Sequence, residues 1–253
     1  MKPTSPAELR KPILPGRGAT DYERYLRTDE LLELQKPKEK LVHPDEMTFQ
    51  VVHQSSEILM KGLVFDLERA RQHLEDADFA NASRLLRRAN MMLDHPIQLL
   101  RVLETLTPYD YHVIRAGLGH GSGLDSPGFL AILHIGPRLG EAFFHQLKLV
   151  GLTVEQMYRR HAEFFALHDL AEQLLDFDVR VQSFRFQHMK LAQRIIGGGV
   201  IGTAGTPVEL LRQRQEYHFY KELWDVRNQI TEIVNAARDT ETSGHGEEKK
   251  SSY

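Results

Sequence analysis

The chain contains no cysteine. That absence removes disulfides, thiolate metal sites, a cysteine nucleophile and thioether attachment of a cofactor. No apolar run reaches the roughly 18 to 20 residues that a membrane-spanning helix needs. The start, MKPTSPAELRKPILPGRG, lacks the apolar centre of a signal peptide, so a cytoplasmic location is the default expectation. Charge of one sign is lacking too. The 32 Lys and Arg residues against 35 Asp and Glu give a net charge of −3, which offers nucleic acid no basic field. No segment alternates apolar and polar residues with period two between turn signals, so no sheet is expected. Three catalytic signatures are also missing. There is no Glu-x-x-His for a carboxylate-bridged di-iron bundle, no His-Glu-x-x-His and no Gly-x-Ser-x-Gly.

What is present is a chain of 253 residues, 41% hydrophobic and 26% charged, long enough to bury a substantial core. Residues 1–20 hold prolines and glycines and read as a flexible arm. Residues 21–237 read as a single all-helical domain, and the polar residues 238–253 as a disordered tail. The expected fold is all-α, a bundle of long helices joined by short loops.

Helical periodicity supports that fold. In DYERYLRTDELLELQ (21–35) the second half looks helical, with Thr28 as a cap. A long helix should start at His43-Pro44-Asp45-Glu46, since proline and acids suit a first turn. Phe49, Val52, Ser56, Met60, Leu63 and Leu67 then share one face. A second long helix spans 82–106, and Pro96 should kink or break it. Thr107-Pro108 caps a third that reaches Arg115. An apolar helix follows from Phe129, bent at Gly136-Pro137. A further one is capped by Thr153 and continues to the glycines at 197–199. VELLRQRQEYHFYKELWDVRNQITEIVNAA is helical again.

Two features carry candidate chemistry. In RAGLGHGSG, residues 115–123, four glycines alternate strictly. A dinucleotide fingerprint needs a preceding strand, and a P-loop needs a Gly-Lys-Ser/Thr ending; neither is here. The segment is either a flexible helix connection or a place where backbone approaches a flat ligand while Arg115 reaches a carboxylate. The second feature is a pair among the thirteen histidines. His188 shares a face with Phe184, Leu191 and Ile195. It is either a core histidine or an axial ligand to heme iron, which needs a neutral imidazole in an apolar slot. His53 shares a face with Phe49, Ser56 and Met60. It is either a core residue or a distal-pocket group that hydrogen-bonds a substrate N–H or an oxygen on the iron.

Five stretches, in order, resemble the tryptophan 2,3-dioxygenase superfamily of histidine-ligated heme aromatic oxygenases. They are DYERYLRTDELLELQ, HPDEMTFQVVHQSSEILMK, TPYDYHVIRAGLGHGSG, FRFQHMKLAQRIIG followed by GTAG, and KELWDVR. The resemblance implies an all-helical subunit with one non-covalent b-type heme buried between helices, in a homotetramer. It implies that His188 is the iron ligand and that His53 is the catalytic distal histidine bonded to the indole nitrogen. Phe49 would be a pocket wall. Tyr111 and Arg115 would meet the substrate carboxylate, Ser122 the heme edge and Thr203 the substrate ammonium. Tyr22 and Tyr25 would be lent to a neighbouring subunit's pocket.

The chain also departs from the family pattern. It is shorter between GHGSG and FRFQHM. GLDSPGF replaces the usual Gly-Phe-Gln-Ser continuation, Leu59 stands where a tryptophan is usual, and GTAGTPVELL lacks half of the usual glycine-serine loop. Such changes are similar to those of compact branches that add one oxygen atom to indoles or to tyrosine. The expected activity is therefore oxygen insertion, from O2 or peroxide, at the C2–C3 region of tryptophan or a substituted indole. Hydroxylation of tyrosine is the alternative, and a non-catalytic heme sensor a third reading.

Overall fold

The structure is a computed structural model that describes residues 11–198 and 217–247. All regular elements among them are helical. Two short helices come first, α1 (Asp21–Leu26) and α2 (Thr28–Leu32). Four long helices make the body: α3 (Glu46–Glu75), α4 (Phe79–Leu103), α6 (Pro127–Val150) and α8 (Phe165–Ile196). The shorter α5 (Pro108–Ala116) and α7 (Val154–Arg159) lie between them, and α9 (Lys221–Glu247) closes the described chain.

The long helices form because their apolar residues recur at helical spacing. Leu63, Leu67, Ala70 and Leu74 follow i, i+4, i+7, i+11 in α3, as do Leu170, Leu174, Phe177 and Val181 in α8, and all eight are fully buried. α3 packs against α4 and α6, and α4 also against α8. Together with Leu85, Leu86, Ile132, Leu139 and Phe143 these faces make one continuous core. At its rim, buried Asp66 of α3 pairs with exposed Arg88 of α4.

Several boundaries differ from the sequence reading. Both halves of 21–35 are helical: Thr20 caps α1 through a capping box with Glu23, and Thr28, expected as the cap of the second half, is instead the first residue of α2 behind Arg27. Arg27, at φ 54°, breaks the run in the left-handed region. The α3 helix begins at Glu46, beyond Pro44. α4 runs on through Pro96 without a break, and α6, as expected, is one helix across Pro137. Burial of both flanks outweighs the single backbone bond that each proline removes. Thr153 caps α7 as expected, but α7 stops at Arg159, and α8 starts afresh at Phe165. Residues 217–220 are not helical, so α9 starts at Lys221, while VELLRQRQE (208–216) lies outside the described residues; α9 continues through 238–247, the first part of the expected tail.

Residues 217–220 cross α6 on two glycines. A Cβ at Gly136 would stand 2.8 Å from the Phe219 ring, and one at Gly140 2.9 Å from the Tyr220 ring. The Tyr220 hydroxyl donates to the Gly136 carbonyl at 3.1 Å. Asp178 of α8, fully buried, accepts from Phe219 N–H at 3.2 Å and from Trp224 Nε1–H at 2.9 Å. One carboxylate therefore sets where α9 leaves α8. Asp178→Ala should lower stability by about 1–3 kcal/mol for each donor it orphans. Urea unfolding with an unchanged m-value would register the loss, and an unshifted midpoint would contradict it.

Candidate active site

At one end of the bundle a second apolar cluster forms where α3, α4, α5 and α8 meet. Val52, Leu100, Leu103, Leu106, Ile114, Leu191 and Ile195 are its buried members. Phe49, Tyr111 and Phe184 pack against it. The faces expected for His53 and His188 therefore come together on one cluster. The Phe49 ring lies 4.2 Å from that of His53 and 6.1 Å from that of Tyr111. The Phe184 ring stacks over His188 at 6.3 Å with planes 14° apart.

The backbone determines the tautomer of His53. Its Nδ1 lies 2.7 Å from the Phe49 carbonyl oxygen, which can only accept, so Nδ1 carries the proton. In the neutral ring Nε2 is then a lone-pair acceptor. Burial pushes the His53 pKa below its ordinary value, and the Phe49 carbonyl and the Glu57 charge offset this in part. His53 remains accessible on one side although protein crowds the rest of the ring, as for a side chain that lines an opening. Burial likewise lowers the pKa of His188, and the charge on His53 lowers it further. The two imidazoles lie near enough to interact, and with both pKa values below the ordinary 6.5 both are neutral at neutral pH.

His188 has no hydrogen bond to the described residues. Its Nε2 points at Gly123, where a Cβ would come within 2.6 Å. Only glycine lets backbone pass so near. A neutral imidazole with an uncommitted Nε2, in an apolar slot beside Phe184, has the donor chemistry that heme iron requires. The donor chemistry fits the group, with the condition that Gly123, which stands over Nε2, moves aside to admit the iron.

The α5 helix carries the polar residues of the site. Thr107 caps it, accepting from Asp110 N–H at 3.2 Å, and Pro108 occupies its first turn. His43, ahead of α3, reaches Asp110 at 3.4 Å and ties the start of α5 to α3. Tyr111 and Arg115 lie one turn apart and half-buried. Arg115 makes no ion pair or hydrogen bond with its side chain among the described residues. The glycine loop leads from Arg115 past His188 to α6, and the Ser122 N–H closes it onto Asp125 at 3.0 Å.

Thus Phe49, His53, Tyr111 and His188 are gathered about one cluster, with Arg115 one turn after Tyr111 on α5 and Ser122 in the loop that follows. Tyr22 and Tyr25 are not. They stand 69% and 78% exposed on α1, without a ring contact or side-chain hydrogen bond to those residues. Thr203 lies outside the described residues. Glu57 escaped the sequence reading. It sits one turn after His53 and receives the Ser126 hydroxyl and the Gly128 N–H. Its i+4 spacing from His53 was the available signal.

Comparison with known proteins bears on this arrangement. The family model described as tryptophan 2,3-dioxygenase matches residues 14–138 and 134–230, two segments that meet within α6. The tryptophan 2,3-dioxygenase of Shewanella woodyi is 28% identical over 260 aligned positions, covering 83% of this chain and 90% of its own. That of Xanthomonas campestris pv. campestris is 29% identical, with 84% and 88% covered. That of Xanthomonas oryzae pv. oryzae is 29% identical, with 84% and 89% covered. These alignments are longer than this whole chain, so the relatives carry segments that it lacks. With the match extending from the first helices to α9, the chain belongs to the tryptophan 2,3-dioxygenase family.

Proposed function

We propose that this protein is a heme-dependent oxygenase that adds dioxygen across the indole C2–C3 bond of L-tryptophan or a close indole amino acid. The observation that carries the substrate class is Arg115. It is a half-buried guanidinium with no side-chain partner among the described residues, one turn after Tyr111, which packs on the apolar cluster beside the Phe49 ring. A planar fork of donors left open in such a place is matched by a carboxylate.

His188 would hold the iron through Nε2, with the glycine loop and Ser122 along the heme edge; without cysteine the heme is bound non-covalently. Bound there, a b-type heme supplies the iron chemistry that activates dioxygen. The chain's own residues do the rest. Arg115 takes the carboxylate in a bidentate pair, with the Tyr111 hydroxyl beside it. Phe49 walls the indole ring, and the second apolar cluster keeps water away. His53 accepts the indole N–H at Nε2, which orients the ring and raises its electron density. Thr203 is assigned to the substrate ammonium by resemblance. Tyr22 and Tyr25 are assigned to a neighbouring subunit of a homotetramer. Their exposure on a helix that packs chiefly against α2 supports that assignment.

The relatives' name points to two-oxygen insertion, which balances on O2 alone. When both atoms of O2 enter, the C2–C3 bond breaks, two carbonyls form and no external electrons are required. The product is an N-formyl aryl ketone. Insertion of a single oxygen needs a two-electron reductant or peroxide, and tyrosine offers no ring N–H to His53.

Protein loaded with hemin and reduced to the ferrous state with ascorbate, then given L-tryptophan and O2 without peroxide, should yield a product heavier by two oxygen atoms in mass spectrometry. A gain of one atom, or turnover of tyrosine alone, would overturn the proposal. Arg115→Ala should raise KM for tryptophan by about 30-fold or more, as loss of a buried charge pair costs about 2–5 kcal/mol. Heme content should stay unchanged, and an unaltered KM would remove the carboxylate contact. His188→Ala should abolish the Soret band on hemin titration; a normal band would mean another ligand.

The pH profile tests His53. Its folded pKa is lowered from the ordinary 6.5. The acceptor Nε2 is therefore intact above that folded value and takes a proton as pH falls through it. With indoles that carry N–H, kcat/KM should fall only below the ordinary histidine range. N-methyl indoles, which have nothing to donate, should lack this acid limb. An identical limb for both would count against the bond.

A further inference from the structure

Glu57 takes no direct part in the chemistry proposed above, yet its carboxylate spans two helices at the edge of the site. It projects from α3 one turn beyond His53 and is half-buried. One oxygen accepts the Ser126 hydroxyl. The other accepts the Gly128 N–H at 2.8 Å. Ser126 is the N-cap of α6, and its oxygen in turn accepts the Phe129 N–H at 3.1 Å. Glu57 thereby serves two of the first N–H groups of a 24-residue helix, one directly and one through Ser126. This is the end of a helix where an anion is most favourable.

The approach is as close as backbone allows. A Cβ at Gly128 would lie 2.7 Å from Glu57 Oε2 and 2.7 Å from Met60 Cβ. Only a few residues upstream of this junction, Gly123 rests against His188 Nε2. The glycine loop is thus held at both ends. Arg115 and the last turn of α5 hold the first, and Glu57 holds the second.

We propose that Glu57 is the positioning residue of the glycine loop: its carboxylate clamps the start of α6 to α3 and so sets how closely Gly123 approaches His188. The proposal rests on the heme reading only for what the loop's position serves. The clamp itself is a matter of hydrogen bonds. A glycine-rich segment has little conformational preference of its own, so its placement depends on such end anchors.

The test compares Glu57→Leu with Glu57→Gln by hydrogen–deuterium exchange on the purified full chain, before and after loading with hemin. Leucine keeps the volume beside Met60 but accepts no hydrogen bond. Glutamine keeps an acceptor for Gly128 and a polar partner for Ser126. Glu57→Leu should speed exchange of amides in residues 117–129 by roughly tenfold or more, with α4 and α9 unchanged, and Glu57→Gln should restore the original rates. Equal exchange in both variants and the parent would overturn the clamp. So would a rise spread evenly over the bundle, or failure of glutamine to rescue. If Glu57→Leu does not fold, Ser126→Ala removes one of the two bonds and should loosen the same segment alone.

Hemin titration reads the heme proposal separately. A parent protein that binds no hemin ends the heme reading and leaves the clamp standing. Hemin affinity in Glu57→Leu should fall by roughly tenfold. An affinity equal to the parent's, despite a loosened loop, would overturn the link between the clamp and His188.

Discussion

Desolvation by the surrounding protein opposes the charged forms of His53 on α3 and His188 on α8, and the site depends on that penalty. An imidazolium at 188 could not donate a lone pair to iron, and one at 53 could not accept an indole N–H. The same low-polarity surroundings that depress both pKa values come from Val52, Leu100, Ile114, Leu191 and Ile195. These residues are a packing cluster first. Their consequence for chemistry is that each ring is neutral and keeps one nitrogen uncommitted.

Placing two neutral rings near enough to interact needs rigid supports, and the long helices provide them. α3 carries His53 at one end and contributes Leu63, Leu67, Ala70 and Leu74 to the main core at the other. α8 carries Asp178, which fixes the departure of α9, and His188 ten residues later. Strain or disorder at the site would have to be transmitted through those fully buried faces. The glycine loop, which has little conformational preference of its own, is bounded by a capped helix on one side and the Glu57 carboxylate on the other. Rigidity therefore resides in the helices and adaptability in the segment beside His188.

The glycines separate by role in the same way. Gly136 and Gly140 are contact surfaces for the Phe219 and Tyr220 rings and serve the fold. Gly123 and Gly128 are close backbone approaches and serve the site. Gly119, at φ 60°, has open space around it, so its role is conformational freedom rather than contact.

Much of this was written in local pattern. Apolar spacing predicts four long helices and which faces they bury, because a helix displays its sequence with a fixed period. The same period places Phe184 and His188, and Phe49 and His53, on common faces, and puts Arg115 one turn after Tyr111. Local pattern does not say whether a proline breaks a helix, since the outcome at Pro96 turns on what its flanks bury. Nor does it reveal a bond between residues 69 and 71 positions apart, such as those from Ser126 and Gly128 to Glu57. By itself the sequence determined the helices, their faces and the chemical types available at the site. Only the tertiary structure decided that His53 and His188 lie near enough to interact, that Gly123 lies on Nε2 and that Arg115 has no side-chain partner among the described residues. Those facts depend on contacts between segments far apart in the chain, which no local periodicity encodes.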